Sequence, residues 1–142
     1  MAKTTSADRV AHLRPIPLFA GLSGDSLRRI AGVMTEFEAA PGQVLIQQGQ
    51  PGSGLLVVEA GTVVVEGPGK PPVELGPGEF VGELALLTPE GTHTARVRAK
   101  SPAVLLAIGR ADFARLIEEE PKIAVAMLSG LAARLAGTRQ NA

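Results

Sequence analysis

The residues best suited to chemistry lie in one stretch, residues 80–97, which reads FVGELALLTPEGTHTARV. Its first half places Gly82 and Glu83 at a predicted tight turn that leads into a short helix. The first backbone N–H groups of a helix have no internal partner and the helix dipole favours negative charge, so this turn predicts a cradle for an anion. The second half should return a cation to the same anion, and the residue at that position is His93.

The composition narrows the classes of function. The chain has 142 residues, a formal net charge of zero, no cysteine, no tryptophan or tyrosine, and four phenylalanines. A neutral chain has no general attraction for nucleic acid or for an anionic membrane, and few aromatic residues are available to stack on single-stranded bases. We therefore expect no nucleic-acid partner.

The absence of cysteine excludes disulfides and thiolate metal sites and fits a reducing compartment.

The sequence also argues against a membrane protein and against a metal centre. No apolar segment approaches the roughly 20 residues that span a bilayer, and the N-terminus lacks the apolar core of a secretory signal. The two histidines, His12 and His93, are far apart, which disfavours a histidine-based metal site. No serine–histidine nucleophile motif and no Walker-type loop is present. We therefore expect a soluble cytoplasmic protein that is not an enzyme and has no catalytic residue, metal or cofactor.

Helix and strand signals divide the chain into three parts. The first part predicts helices over residues 7–13 and 25–34, the second of them capped by Ser23. Residues 37–109 contain short β-rich runs separated by Gly and Pro, which predicts a compact all-β barrel or roll. The predicted strands cover residues 43–47, 55–59, 62–66, 73–75, 94–99 and 104–108, and the breakers between them include Pro41-Gly42, Pro68-Gly69 and Pro77-Gly78.

Two runs within the β-rich region predict a β-hairpin. Residues 55–59 and 62–66 are joined through Ala60 and Gly61. Glycine adopts a positive φ without steric penalty, as a tight hairpin turn requires.

The last part of the chain predicts two more helices. Asp112 lies in the first turn of one helix, which would bury Phe113 and Leu116. Pro121 suits the first position of the last helix, which is predicted to end near Gly137. This last helix is apolar nearly all the way round, so it should cover more than one neighbour.

A small β-roll with helices at both ends and an anion-cradling turn resembles the cyclic nucleotide-binding domain. Residues 80–87 are similar to the phosphate-binding cassette of that family, and the turn glycines fall where the family places them, at Gly42, Gly49, Gly52, Gly61 and Gly78. The resemblance implies an α+β fold, a jelly-roll-like antiparallel β-roll (a double-stranded β-helix) flanked by helices. It implies a domain over residues 16–137, preceded by a flexible segment, 1–15, and followed by a tail, 138–142.

The resemblance also implies roles for single residues in binding cAMP or cGMP. Gly82 would let the backbone approach the cyclic phosphate, and Glu83 would accept a hydrogen bond from the ribose 2′-hydroxyl. The N–H groups around Leu84 and Ala85 would point at the phosphate oxygens. Thr94 would bond the phosphate or the base, and threonine at this position in the family often accompanies guanine. The candidates for an aliphatic cap over the base are Leu128, Leu131 and Leu135.

His93 departs from the family pattern, which has arginine at that position. Arginine is always charged and offers a planar fork of donors, whereas histidine is mostly neutral at pH 7. Losing one partner of a buried charged pair costs about 2–5 kcal/mol, so weak binding is expected. A bound phosphate could favour the charged imidazole, which predicts affinity that rises as the pH falls from about 7.5 to about 6. Alternatively Arg96, on the same strand face as Thr94 and Arg98, supplies the charge.

The sequence therefore leaves two functions open. The first is a non-enzymatic sensor that binds a cyclic nucleotide and transmits binding through its C-terminal helix to a protein partner or a second copy. The second is a degenerate domain that does not bind nucleotide and serves as a protein-interaction or dimerisation module, which His93 supports. A metalloenzyme of the cupin type would need a cluster of histidines with a carboxylate, and two distant histidines do not supply it.

Overall fold

The computed structural model describes residues 6–50, 54–82 and 95–140. The chain divides into two compact units, one formed by Met1–Gly32 with Ala114–Ala142 and the other by Val33–Phe113. The helices are α1 (Ser6–Leu13), a short 3-10 helix (Pro17–Phe19), α2 (Gly24–Val33), α3 (Arg110–Glu119) and α4 (Pro121–Gln140). None of the helices in the described ranges is both long enough and apolar enough to cross a membrane.

The first unit is helical and has its own apolar core. The 3-10 helix packs against α4, where Pro121 occupies the first position as predicted. The N–H of Ser26 donates to Oγ of Ser23 at 3.1 Å, which confirms Ser23 as the N-cap of α2. The most deeply buried side chains of this unit are Leu13, Phe19, Leu27, Ile30 and Ile123.

The helix ends differ from the prediction in three places. The first helix already includes Ser6, and α4 continues to Gln140, past the glycine near which it was expected to end. Met34 belongs to a strand rather than to α2, since it pairs with Ile108. Met34 is apolar and buried, so it fits the spacing of a helix and that of a strand equally well. A single residue at the end of an element cannot distinguish the two periods.

In the described part of the second unit, the strands form two four-stranded antiparallel sheets, which confirms the predicted α+β fold with a β-roll. One sheet has the order β1-β8-β3-β6 and the other the order β2-β7-β4-β5. Apolar side chains from both sheets form one core cluster, which includes Val58, Val63, Val97, Ala99 and Leu105. The strands are β1 (Met34–Ala39), β2 (Val44–Ile46), β3 (Gly54–Ala60), β4 (Val63–Glu66), β5 (Val73–Leu75), β6 (Phe80–Val81), β7 (Arg96–Ala99) and β8 (Ala103–Gly109).

Three of the turns between these strands follow from Pro-Gly pairs. Gly42, Gly69 and Gly78 all have positive φ, and each follows a proline. In each turn the N–H after the glycine donates to the carbonyl three residues earlier, as in Gln43 to Ala40 at 3.0 Å. Proline at the second position and a positive-φ glycine at the third are the requirements of a type II turn, so the predicted breakers are confirmed.

The predicted hairpin between β3 and β4 is wrong. The strand β3 pairs with β8 and β6, whereas β4 pairs with β7 and β5 in the other sheet. Gly61 does have a φ of +85°, but it turns a corner from one sheet to the other. The carbonyl of the next residue, Thr62, accepts the N–H of Lys100 at 2.9 Å, and a Cβ on Gly61 would lie 2.2 Å from the Pro102 oxygen. Glycine is needed here for close approach as well as for its φ.

Candidate functional site

The chain reaches the predicted anion cradle through β6. Phe80 and Val81 are buried and pair with Val57 and Leu56 of β3. Gly82 follows directly, with a φ of +95°, a conformation that L side chains rarely adopt. The geometry thus requires glycine at the first residue of the predicted site.

The turn before β6 is fixed by its own hydrogen bonds. The N–H of Gly76 donates to Oε2 of Glu79 at 2.8 Å, and the Glu79 N–H returns to the Gly76 carbonyl at 3.2 Å. In β3, the N–H of Val58 donates to the Glu79 carbonyl and the Val58 carbonyl accepts the N–H of Gly78, each at 2.8 Å. Gly82 therefore follows a short strand whose start is held in place by backbone hydrogen bonds to β3.

The remaining predicted cassette residues, Glu83, Leu84, Ala85, His93 and Thr94, lie outside the described residues, and their roles stay predictions. The chain is described again from Ala95, and β7 begins at Arg96. Gly82 follows β6, an edge strand of one sheet, and Ala95 precedes β7, an inner strand of the other sheet.

Three charged residues meet on the outer face of the sheet where this segment ends. Glu66 and Arg96 are directly opposite each other on β4 and β7. Oε1 of Glu66 accepts Nη2 of Arg96 at 2.9 Å and Nε of Arg98 at 3.0 Å. Between the two arginines, the buried Val97 points into the core, as strand alternation requires. Arg96 and Arg98 do share a face, but they are ion-paired rather than simply solvated.

The hydrogen bond from Arg98 is the largest cause that lowers the pKa of the Glu66 carboxyl below its ordinary value, and the hydrogen bond and charge of Arg96 add to it. One carboxylate faces two guanidinium groups, so the cluster keeps one positive charge in excess. Arg96 can serve a bound anion only by sharing or leaving Glu66. Sequence reasoning missed Glu66 because its signal depends on the pairing of β4 with β7.

The three predicted cap residues lie on α4, in the helical unit. Leu128 and Leu135 are 67% and 56% exposed, and Leu131 is half-buried. Val125 is also exposed, at 66%, whereas Ile123 and Met127 are buried. The predicted surplus of apolar surface on the last helix is confirmed.

A second polar network joins α2 to the end of α3. Nη1 of Arg29 lies 3.1 Å from Oε2 of Glu119, and its Nη2 lies 2.9 Å from Oε1 of Glu120. The hydroxyl of the buried Ser26 also donates to Glu120. The Glu119 side chain is 44% exposed and that of Glu120 is 16% exposed, so this helix end is ion-paired rather than fully solvated. No sequence signal marks their partner, since Arg29 is 90 residues away from Glu119.

Comparison with known proteins identifies the family. The family model described as "Cyclic nucleotide-binding domain" matches residues 36–120. A cyclic nucleotide-gated potassium channel of Mesorhizobium japonicum is 38% identical over 109 residues, which are 77% of this chain and 30% of the channel. Across the first three curated relatives, the chain spans between 24% and 32% of the relative's length.

Solved structures agree with this assignment. The catabolite activator protein of Thermus thermophilus superimposes with a TM-score of 0.72 and 31% identity, covering 88% of this chain and 61% of that one. The regulatory subunit of a protein kinase A from Trypanosoma brucei, described as cAMP-independent, gives a TM-score of 0.77 and 27% identity over 87% of this chain and 46% of that one. With the β-roll, the glycine at the end of β6 and the matching family model together, the chain belongs to the cyclic nucleotide-binding domain family.

Proposed function

We propose that this chain is a non-enzymatic sensor module that binds cAMP or cGMP in the segment beginning at Gly82 and responds through α4. The observation that carries the proposal is the φ of +95° at Gly82, directly after the anchored strand β6. A glycine in this conformation brings backbone N–H groups close to a ligand, and consecutive N–H groups of this kind bind phosphate. Glu83, Leu84, Ala85 and Thr94 complete the proposed ligand set.

His93 is the proposed cation for the cyclic phosphate. The alternative cation, Arg96, already donates to Glu66, so a ligand could use it only if Arg96 shared or left that ion pair. A neutral imidazole is a weaker phosphate partner than a guanidinium, and we propose that binding is correspondingly weak near neutral pH.

The proposed output is α4, and its proposed partner is a second copy of the chain. Val125, Leu128, Ala132 and Leu135 are all exposed and follow one another at intervals of three, four and three residues. This is the spacing of the apolar seam of a two-stranded coiled coil. A ligand changes such an assembly only if it prefers one position of the helix, so nucleotide and dimer should be coupled.

A second function, a docking or dimerisation module without nucleotide, is favoured by the same exposed seam together with His93. In that case α4 would assemble whether or not cAMP or cGMP is present. In both cases we propose that the module works in the cytoplasm, because a chain without cysteine fits a reducing compartment. Calorimetric titration with the two nucleotides separates the two functions.

A further inference from the structure

The joint between α3 and α4 is a single residue, Glu120. Its N–H donates to the Leu116 carbonyl at 2.8 Å and closes α3, and its carbonyl accepts the Ile123 N–H at 3.0 Å and opens α4. Pro121 has no N–H, so it cannot continue the hydrogen-bond ladder of α3 into α4. The two helices therefore meet at a point where the backbone ladder is interrupted.

Arg29 of α2 binds on both sides of this interruption. Its Nη1 bonds to Glu119, the last residue of α3, and its Nη2 bonds to Glu120 at the joint. Because a guanidinium is planar and rigid, two carboxylates held by one fork resist rotation relative to each other.

Ser26 ties the same joint to the start of α2. Its hydroxyl donates to Glu120 and accepts the hydroxyl of Ser23, which caps α2. The Glu120 side chain is 16% exposed, whereas those of Arg29 and Glu119 are 56% and 44% exposed. The network thus combines one well-shielded carboxylate with charges that remain accessible to water and salt.

We propose that Arg29 clamps the α3–α4 joint onto α2 and thereby sets the resting position of α4. An ion pair with this exposure is weak and is screened by salt, so it can hold one helix position and still yield when another interaction favours a different one. That this contact biases the position of α4 during signalling rests on the proposed function, whereas the contact between Arg29 and the joint does not depend on it.

The test measures a distance between α2 and α4 in the absence of nucleotide. The chain has no cysteine, so Gly32→Cys and Ser129→Cys supply two spin-label sites. Both positions are exposed, and a Cβ on Gly32 meets no atom within 4 Å. Labelled chains are diluted into unlabelled protein, so that pulsed electron paramagnetic resonance reports distances within one chain.

We expect a single narrow distance distribution for the parent and a broader, shifted one for Arg29→Ala. Arg28→Ala is the matched control, because Arg28 pairs with Asp25 of its own helix, and it should leave the distribution unchanged. Arg29→Lys keeps the charge but not the fork and should give an intermediate width. If Arg29→Ala and Glu120→Gln both reproduce the parent distribution, the clamp is refuted. Failure to bind cAMP or cGMP would refute the sensor and leave this result standing.

Discussion

Glu66 and Arg96 face each other across β4 and β7, and the guanidinium of Arg96 donates two hydrogen bonds to the same oxygen of Glu66, at 3.2 and 2.9 Å. Arg98 donates to that oxygen as well. The strand that follows the predicted phosphate-binding segment therefore finds its counter-ion on the neighbouring strand β4. In this arrangement the charge of Arg96 is already engaged, and His93 becomes the residue on which nucleotide affinity is proposed to depend.

Replacing Glu66 with Gln should reduce the acid sensitivity of the fold. Arg98 and Arg96 lower the pKa of Glu66 in the folded state, so its contribution to the free energy of unfolding is present above the ordinary value of 4.5 and is lost as the pH falls through the lower folded pKa. Urea unfolding of the parent between pH 7 and pH 3 should show this loss, and Glu66→Gln should show a shallower one. Glu74→Gln, which removes an exposed pair with Lys100, is the control. Identical pH profiles for the parent and Glu66→Gln would contradict the prediction.

Replacing Gly82 with Ala should weaken nucleotide binding as well as stability. The positive φ is unfavourable for alanine by about 1–2 kcal/mol. Gly69→Ala is a matched control, since Gly69 has a φ of +67° and open space around the added Cβ. Thermal unfolding should show a comparable loss of stability for Gly82→Ala and Gly69→Ala. Calorimetry should show a roughly tenfold weaker affinity, about 1.4 kcal/mol, for Gly82→Ala alone. Equal affinities for both variants would argue against Gly82 as part of the site.

Replacing His93 with Arg should strengthen binding of cAMP or cGMP by about 30-fold or more. Restoring the charged partner of a buried phosphate recovers about 2 kcal/mol at the lower end of the usual range. His12→Arg adds the same charge on the exposed face of α1 and should leave the affinity unchanged. The parent affinity should also rise as the pH falls from about 7.5 to about 6, whereas that of His93→Arg should stay flat. A parent affinity independent of pH would exclude imidazolium as the ligand cation.

Replacing Leu128 with Glu should abolish self-association. Leu128 is 67% exposed within one chain and lies on the seam of α4 with Val125, Ala132 and Leu135. Light scattering after size exclusion should give twice the chain mass of 14.6 kDa for the parent and the single mass for the variant. Ala133→Glu introduces the same charge at an exposed position off the seam and should remain dimeric. A parent that is monomeric at every concentration tested would contradict the dimer.

Local signals predicted much of this fold because they act within a few residues. Ser23 caps α2, Pro121 begins α4, and the Pro-Gly turns have the expected positive φ. Pairing could not be predicted in the same way. Gly61 suits a hairpin turn and a corner between sheets equally well, and the choice depends on Thr62 meeting Lys100 and Ser101 far along the chain.

The candidate site shows the same division between local and distant information. The need for glycine at position 82 was visible in the sequence, because a glycine between a strand and a predicted helix marks a special backbone conformation. The partners Glu66 and Arg29 were not visible. Each depends on two elements brought together by the fold, β4 with β7 and α2 with the end of α3, rather than on spacing along one element.

The most direct test of the sensor is calorimetric titration of the purified chain with cAMP and with cGMP at neutral pH. We expect saturable binding of at least one of them, weaker than about 1 μM but tighter than about 1 mM, and stronger binding by His93→Arg. No heat from either nucleotide up to about millimolar concentration, for the parent and for His93→Arg alike, would contradict the sensor and leave the docking module as the function of this domain.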